Sequence, residues 1–483
     1  MELSWPSIYI IIEWVIRILM LIYVPQQRSP NSARAWLLLI FFLPIPALVL
    51  YAWIGRIYVP HQRIELYNEI AQAVEQAQNH FMEVQPNLLS PYKAKNPYLQ
   101  SNMSAISAIG GLFATNKNHI EIIHGYDLLI ARLIEDINAA QQSIHMQYYI
   151  YSNDKTSQQV TDALCSAAKR GVKIRLLIDE IGSAKGLKHQ APQLRSAGVE
   201  VYAEFPVGLW GKNAARIDLR NHRKIAIFDG LIAHMGSQNI VDPGFIPGCP
   251  NVELNIRVRG LITCQLQAVF LADLYSESHS SVNMKELPEL FKIEQFESIE
   301  NGVAGQVVPS GPGYGEAINR NAIITLIYSA QKNIRIVTPY FIPDEPFQTA
   351  LLIAANRGVK VQLIFPKHSN YLIVNLAQQS YFSQLLKAGV EIYLYRPGLL
   401  HAKYMIFDNE ISIVGSSNID VRSFELNAEV SVVMYDKNIA IQLFSIQEEY
   451  IAESDVVERE KWEQRPRMQK IASNLARLAD ALL

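Results

Sequence analysis

Cysteine is scarce, three in 483 residues. Cys165, Cys249 and Cys264 form no CxxC pair, which excludes a disulfide framework and the usual zinc-ribbon patterns. Charge is sparse too, at 18% of residues, and it balances to a formal −2. A dedicated nucleic-acid binder carries a basic excess, so no nucleic acid is expected as a partner. The apolar excess is concentrated at the N-terminus.

What is there begins at the N-terminus. Residues 7–24, SIYIIIEWVIRILMLIYV, are apolar apart from Glu13 and Arg17. These two are four apart, on one helical face, and can pair. Residues 35–55, AWLLLIFFLPIPALVLYAWIG, carry no charge. As a helix they would span roughly 31 Å, enough for a bilayer core. Pro44 and Pro46 predict a kink. The expectation is a two-helix membrane hairpin that returns the chain to the side of its N-terminus. Residues 62–84 read as a polar linking helix.

From there apolar β-branched runs alternate with helical stretches, the pattern of an α/β fold. The series occurs twice. AQQSIHMQYYIY (140–151) matches AQKNIRIVTPYFI (330–342). AAKRGVKIRLLID (167–179) matches AANRGVKVQLIFP (354–366), and AGVEVY (197–202) matches AGVEIY (388–393). The first copy carries extra residues in AEFPVGLWGKNAARIDL (203–219), read as a loop. Two homologous domains usually pack about a pseudo-two-fold axis, so equivalent strands can each supply half of one site.

A stretch in each copy carries chemistry: NHRKIAIFDGLIAHMGSQN (221–239) and LHAKYMIFDNEISIVGSSN (400–418). Both place His, Lys, Asp, Gly-Ser and Asn at identical spacing: His222, Lys224, Asp229, Ser237, Asn239, and His401, Lys403, Asp408, Ser416, Asn418. Strand alternation puts His and Lys on one face. Brought together, they make a cationic, donor-rich cavity suited to a phosphate, with Ser and Asn as phosphate-binding donors. Lysines and amides can stabilise a pentacovalent phosphoryl transition state without a metal. One histidine can attack phosphorus while the other moves protons. Lysine is a poor zinc ligand, which argues against a metal site. Each histidine needs a carboxylate to fix its tautomer. Glu253 and Glu429 are the candidates, at similar distances downstream of the histidines of their own copies.

The doubled HxKxxxxDxxxxxxGSxN pattern resembles the phospholipase D superfamily. Within it the chain is similar to bacterial cardiolipin synthases, through the N-terminal apolar pair, VVPSGP (307–312), NIDVRSFELNAE (418–429) and the C-terminal RMQKIASNLARLADALL. Residues 251–253 read Asn-Val-Glu where the family pattern has aromatic-Arg-Asp; Glu253 keeps the carboxylate. The resemblance implies two phospholipase D-type domains, each a mixed sheet flanked by helices, in pseudo-two-fold arrangement. The implied boundaries are 1–58 for the anchor, 59–110 for a linking region, 111–295 for the first domain and 296–483 for the second. It implies transfer of a phosphatidyl group between two phosphatidylglycerols through a phosphohistidine, with glycerol released and no cofactor. His222 is then the nucleophile and His401 the acid/base. Asp229 and Asp408 are placed in the catalytic set, though their role can be structural. The implied location is the bacterial inner membrane, with the catalytic domains cytoplasmic. A hydrolase of the same fold, using water or a small alcohol, is the alternative; intact motifs argue against a scaffold.

Among the aromatics ending equivalent strands, Tyr148, Tyr149, Tyr340 and Phe341, at least half are expected in the core. Arg422 is a candidate for a second phosphate or for a salt bridge. Met468, Ile471, Leu475, Leu478 and Leu482 recur at helical spacing, predicting an amphipathic helix packed on the domain.

Overall fold

The computed structural model describes residues 4–28, 30–55, 92–207, 218–244, 247–278, 299, 302–314, 317–369 and 371–478. The expected linking helix at 62–84 and most of the 203–219 loop lie outside the described residues. The N-terminal segment forms a compact unit apart from the main body. Each is described separately.

In the N-terminal unit, helix α1 (Trp5–Gln27) is long and apolar enough to cross a membrane. Arg17 and Glu13 pair at 3.2 Å, which offsets the cost of an ion pair among apolar side chains. The second apolar run packs against α1, as in a hairpin, but it is not one rod. Helix α2 (Pro30–Phe42) stops at Leu43, whose backbone leaves the helical region before Pro44. A proline ring disfavours helix in the residue before it. Helix α3 (Pro44–Leu50) and a π-helical turn (Tyr51–Gly55) then run back. The side chain of Arg17 donates to the Phe41 carbonyl at 3.0 Å, and that of Arg28 donates to the Gly55 carbonyl at 2.7 Å. Tyr51 packs edge-on against both Trp36 and Tyr23. The run therefore descends to mid-helix and returns to its starting level. Two prolines in three residues bend the segment back.

The main body contains two sheets of one design. The first half supplies β1 (Asn118–His124), β2 (Ser143–Tyr148), β3 (Lys173–Asp179), β4 (Glu200–Glu204), β5 (Lys224–Phe228), β6 (Ile232–Gly236), β7 (Asn251–Val252) and β8 (Leu254–Gly260). The second half supplies β9 (Gly305–Ser310), β10 (Asn333–Val337), β11 (Phe341–Ile342), β12 (Lys360–Pro366), β13 (Glu391–Tyr395), β14 (Leu399–Leu400), β15 (Tyr404–Phe407), β16 (Ile411–Gly415), β17 (Ile419–Asp420), β18 (Glu429–Met434) and β19 (Ser454–Val456). One sheet runs β1-β8-β6-β5-β2-β3-β4. The other runs β9-β18-β16-β15-β10-β12-β13-β19, the same order with one added edge strand. In each, three strands are parallel and the motif hairpin joins them antiparallel. The expected α/β class with two homologous mixed sheets is thus the observed one.

The helices between parallel strands are defined by local chemistry. Asp154 caps the helix Lys155–Lys169 with Ser157 completing a capping box, and Asp344 caps its counterpart Glu345–Asn356. Gly171 and Gly358 end these helices at φ of +92° and +88°, a conformation costly for any residue with a Cβ. One hydrophobic cluster is shared between the halves: Ile225, Ile256 and Ile262 pack with Val307, Ile406 and Val432. The helix Leu261–Ser278 is buried on nearly every side, and its buried polar residues Gln265, Gln267 and Asp273 are satisfied by Phe113, His145 and Arg223.

Tyr148 and Phe341 lie in the two cores, while Tyr149 and Tyr340 line a cavity. The C-terminal helix Arg467–Arg477 packs on the helix Leu372–Lys387 through small side chains rather than through its apolar stripe. It docks through Ser473 and Ala476, with Arg477 over the Tyr381 ring at 4.7 Å. Met468, Ile471, Leu475 and Leu478 face outward, 75%, 50%, 61% and 79% exposed. Small side chains allow close approach to the helix Leu372–Lys387, and the large apolar face is left to the surface. Leu482 lies outside the described residues.

Candidate active site

The two halves are stitched by backbone hydrogen bonds just ahead of each motif histidine. The His222 N–H donates to the Ala428 carbonyl, and the Ala428 N–H to the Arg220 carbonyl, both at 2.9 Å. Across the pseudo-two-fold, β14 pairs in parallel with β7. The His401 and Ala402 N–H groups both donate to the Val252 carbonyl, at 2.8 and 2.9 Å. Glu429 follows Ala428 and Glu253 follows Val252, so this stitching delivers each carboxylate to the opposite half.

The histidine–glutamate pairs are therefore crossed. His222 Nδ1 lies 2.9 Å from Glu429 Oε1, and His401 Nδ1 lies 2.8 Å from Glu253 Oε1. Each glutamate follows its own copy's histidine at a similar sequence distance but serves the histidine of the other copy. With Nδ1–H donating to a carboxylate, the Nε2 lone pair of each ring is left for chemistry. All four side chains are nearly or fully buried. Burial alone raises a carboxyl group; here the facing histidine, lysine and serine donors outweigh it and hold Glu253 and Glu429 below their ordinary value. Burial, reinforced by the lysines, pulls both histidines down, His222 to about 4.

The motif serines do not point donors into a cavity. Ser237 Oγ donates to Glu253 at 2.5 Å, and Ser416 Oγ donates to Glu429. The expectation that they bind phosphate is corrected: they hold the carboxylates that hold the histidines. The preceding glycines admit the neighbouring strand. A Cβ on Gly236 would meet Asn255 Oδ1 at 2.4 Å, and one on Gly415 would meet Ser431 Oγ at 2.3 Å.

Asp229 and Asp408 lie at the far end of the motif strands from the histidines. Asp229 accepts the N–H groups of Gln141, Gln142 and Ser143 at 2.7–2.9 Å, and Asp408 those of Gln331, Lys332 and Asn333 at 2.7–3.1 Å. Both adopt left-handed backbone, φ 52° and 54°. They cap the start of β2 and β10, and neither lines the cavity. Their place in the catalytic set is thereby corrected to a structural one.

Lys224 Nζ donates to the His222 carbonyl at 2.6 Å, and Lys403 Nζ to the His401 carbonyl at 2.8 Å. Burial lowers Lys224 to about 7 and Lys403 to about 8, against the opposing pull of the two glutamates. Asn239 and Asn418 line the cavity, as do His222 and His401. It measures about 420 Å³. Tyr149 forms one wall, its ring 5.0 Å from that of His222.

Three further groups were missed by sequence reasoning. Asn251 and Asn427 stand at matched positions lining the cavity; the repeated Asn-x-Glu of 251–253 and 427–429 was the available signal. Arg220 also lines it, two residues before His222 where the second copy has Leu399. Arg223, between His222 and Lys224, is fully buried. It donates to the Glu429 and Ser310 carbonyls at 3.0 and 2.9 Å and pairs with Asp273. It ties the first motif to the strand that carries Glu429.

Two mixed sheets that bring paired motif histidines to one cavity, each with its lysine bound to the histidine carbonyl behind it, define a phospholipase D-like protein. The family model described as cardiolipin synthase, PLD-like domain matches residues 133–274 and 323–450, together more than half the chain. Cardiolipin synthase A of Pectobacterium atrosepticum is 33% identical over 455 residues, covering 93% of this chain and 92% of its own. Cardiolipin synthase A of Yersinia pseudotuberculosis is 32% identical, covering 98% and 97%. A solved phosphatidylserine synthase from Haemophilus influenzae shares the fold, with a TM-score of 0.60 at 16% identity over 80% of this chain and 99% of that one. The chain belongs to the cardiolipin synthase family of PLD-like proteins.

The crossed geometry makes a direct prediction. A double-mutant cycle in unfolding stability combines His222→Ala with Glu429→Gln and shows a coupling of about 1–3 kcal/mol. The same cycle with Glu253→Gln shows much less coupling. The buried lysines make a second. The phosphate-stabilising role expected of them from the sequence needs them protonated, and in that role kcat/KM of the solubilised full-length protein falls as pH rises through about 7–8. Their folded values lie below the ordinary lysine value, so the folded state sheds its protons first. Their contribution to the stability of the empty protein therefore rises over the interval above pH 7. Activity and thermal stability should move in opposite directions there.

Proposed function

We propose that this chain is a cardiolipin synthase that moves a phosphatidyl group from one phosphatidylglycerol to another. The observation that carries it is the pair of crossed His–Glu couples facing one cavity. Two imidazoles, each with its Nδ1–H held by a glutamate, suit a double displacement in which Nε2 is bare on His222 and carries a proton on His401. His222 Nε2 attacks the donor phosphorus. The bond to the glycerol oxygen breaks, and His401 gives that oxygen its proton. A hydroxyl of the second phosphatidylglycerol enters the vacated place and returns a proton to His401. Its oxygen attacks phosphorus, the P–N bond breaks, and His222 is restored. Lys224 and Lys403, with the amides of Asn239 and Asn418, stabilise the charge on the five-coordinate phosphorus. Glu429 and Glu253 hold the rings, and Ser416 and Ser237 hold the glutamates.

The reading extends to the membrane. Helix α1 is the spanning segment, and the doubled-back second run leaves the chain after Gly55 on the side where α1 ends. Arg28 and Arg34 then flank that side, and Arg56 and Arg63 follow Gly55 in the sequence, whereas no Lys or Arg stands between Met1 and Arg17. Cationic flanks stay in the cytoplasm, so the catalytic body is cytoplasmic and the N-terminus lies across the inner membrane.

Purified full-length protein given phosphatidylglycerol should yield cardiolipin and one glycerol per turnover, followed by mass spectrometry. His222→Ala and His401→Ala should yield none. Phosphatidic acid as the main product would make the protein a hydrolase instead. In intact spheroplasts, external protease should remove a tag at residue 1 and spare a tag at residue 483. The reverse pattern, or cleavage of both, would refute the single crossing.

A further inference from the structure

The catalytic groups obey the pseudo-two-fold, but the walls of their cavity do not. Asn427 and Asn251 are equivalent, and the backbone shows it. The Asn427 N–H donates to the Arg422 carbonyl at 2.8 Å, and the Asn251 N–H donates to the Pro243 carbonyl at 2.9 Å. Arg422 thus occupies the place of Pro243. The next residue on, Ala428, binds the Arg220 carbonyl at 2.9 Å; its counterpart Val252 faces Leu400 and follows the Asn251–Leu399 pair. Around Asn427 stand two arginines. Around Asn251 stand a proline and a leucine.

Arg220, Arg422 and Asn427 all line the catalytic cavity. Arg220 is buried and held by Asp179 at 3.4 Å and by the Phe205 carbonyl at 3.0 Å, which fixes its guanidinium in place. Asn427 is nine-tenths buried, and its amide oxygen has no hydrogen-bond partner among the described residues. Rotating that amide turns its N–H₂ to the same spot. The cavity carboxylate on this wall, Asp420, accepts the Ser423 N–H at 2.7 Å. Two guanidinium groups and an amide lining one cavity are the chemistry that recognises a phosphate.

We propose that Arg422, Arg220 and Asn427 form a second phosphate subsite, taking the phosphodiester of the acceptor lipid while its hydroxyl reaches the reaction centre. The inference rests on the phosphatidyl-transfer reading and deepens it. A phosphate already present in the acceptor separates a lipid alcohol from water and free glycerol, neither of which can fill the subsite. Leu399, Ile373 and Val374, which also line the cavity, are apolar and offer nothing to an anion. The repeat supplies the chemistry twice and the acceptor subsite once.

The test uses full-length protein in detergent and two readouts. The first is binding, by thermal shift, of glycerol 1,3-bisphosphate against glycerol 3-phosphate. Wild type should favour the bisphosphate by about ten-fold, one charge-assisted contact's worth. Arg422→Gln should abolish the preference and Arg422→Lys should restore part of it. The second compares cardiolipin formation with exchange of labelled glycerol into phosphatidylglycerol, which needs no second phosphate. Arg422→Gln should depress cardiolipin formation about ten-fold more than exchange. Equal binding of the two glycerol phosphates by wild type, or equal loss of both reactions in the variant, overturns the subsite. Failure of wild type to form cardiolipin or exchange glycerol, with the bisphosphate preference intact, sinks the transfer reading and leaves the two-phosphate site standing.

Discussion

Everything at the cavity depends on a few backbone hydrogen bonds between the halves. Residues 220–222 lie along Ala428, and residues 399–402 lie along 250–252. Each contact sets the residue before a glutamate against the segment that carries the other half's histidine. Neither half holds a finished His–Glu couple. A single copy of the repeat would leave a buried carboxylate without its imidazole, and an unpaired buried charge is costly. Docking the halves and completing the site are one event.

The small motif residues serve that contact. Gly236 and Gly415 let β8 and β18 approach within the distance a side chain would occupy. Ser237 and Ser416 then reach the glutamates on those strands, and the backbone N–H groups of Leu254 and Val430 donate back to the serine oxygens. The motif Gly-Ser is a clamp for the carboxylate, one layer behind the chemistry. Asp229 and Asp408 work one layer further back, fixing the loops that start β2 and β10. The six-position motif thus mixes residues that face the cavity with residues that never touch it.

Charge at the centre is closely balanced. Two lysines, two histidines and two glutamates are packed in a buried cluster, and the protein tolerates it because each charge has a partner of opposite sign nearby. Arg223 and Asp273 add another buried pair on the first-half side alone, where the second copy has Ala402. The centre is nearly symmetric, while its support and its mouth are not. Asymmetry at the periphery is how a duplicated site can give its two substrates different places.

The sequence alone determined the repeat, the α/β class and the six-position motifs, because strand alternation and repeated spacing are local and survive without coordinates. It located Glu253 and Glu429, since a histidine in such chemistry needs a carboxylate. It could not say which histidine each would serve. Each glutamate follows its own copy's histidine at a similar separation, and only the docking of the halves breaks the tie. The roles of the motif Asp and Ser were equally hidden, because donor type is written in the sequence but direction is not. Pro44 and Pro46 announced a bend in the apolar run; whether it kinked onward or turned back depended on packing against α1. The C-terminal helix showed the same limit. Its apolar stripe was legible, yet the small face of Ser473 and Ala476 took the core. Tertiary structure decides such cases because a pattern fixes which residues share a face, and only a neighbour fixes which face is buried.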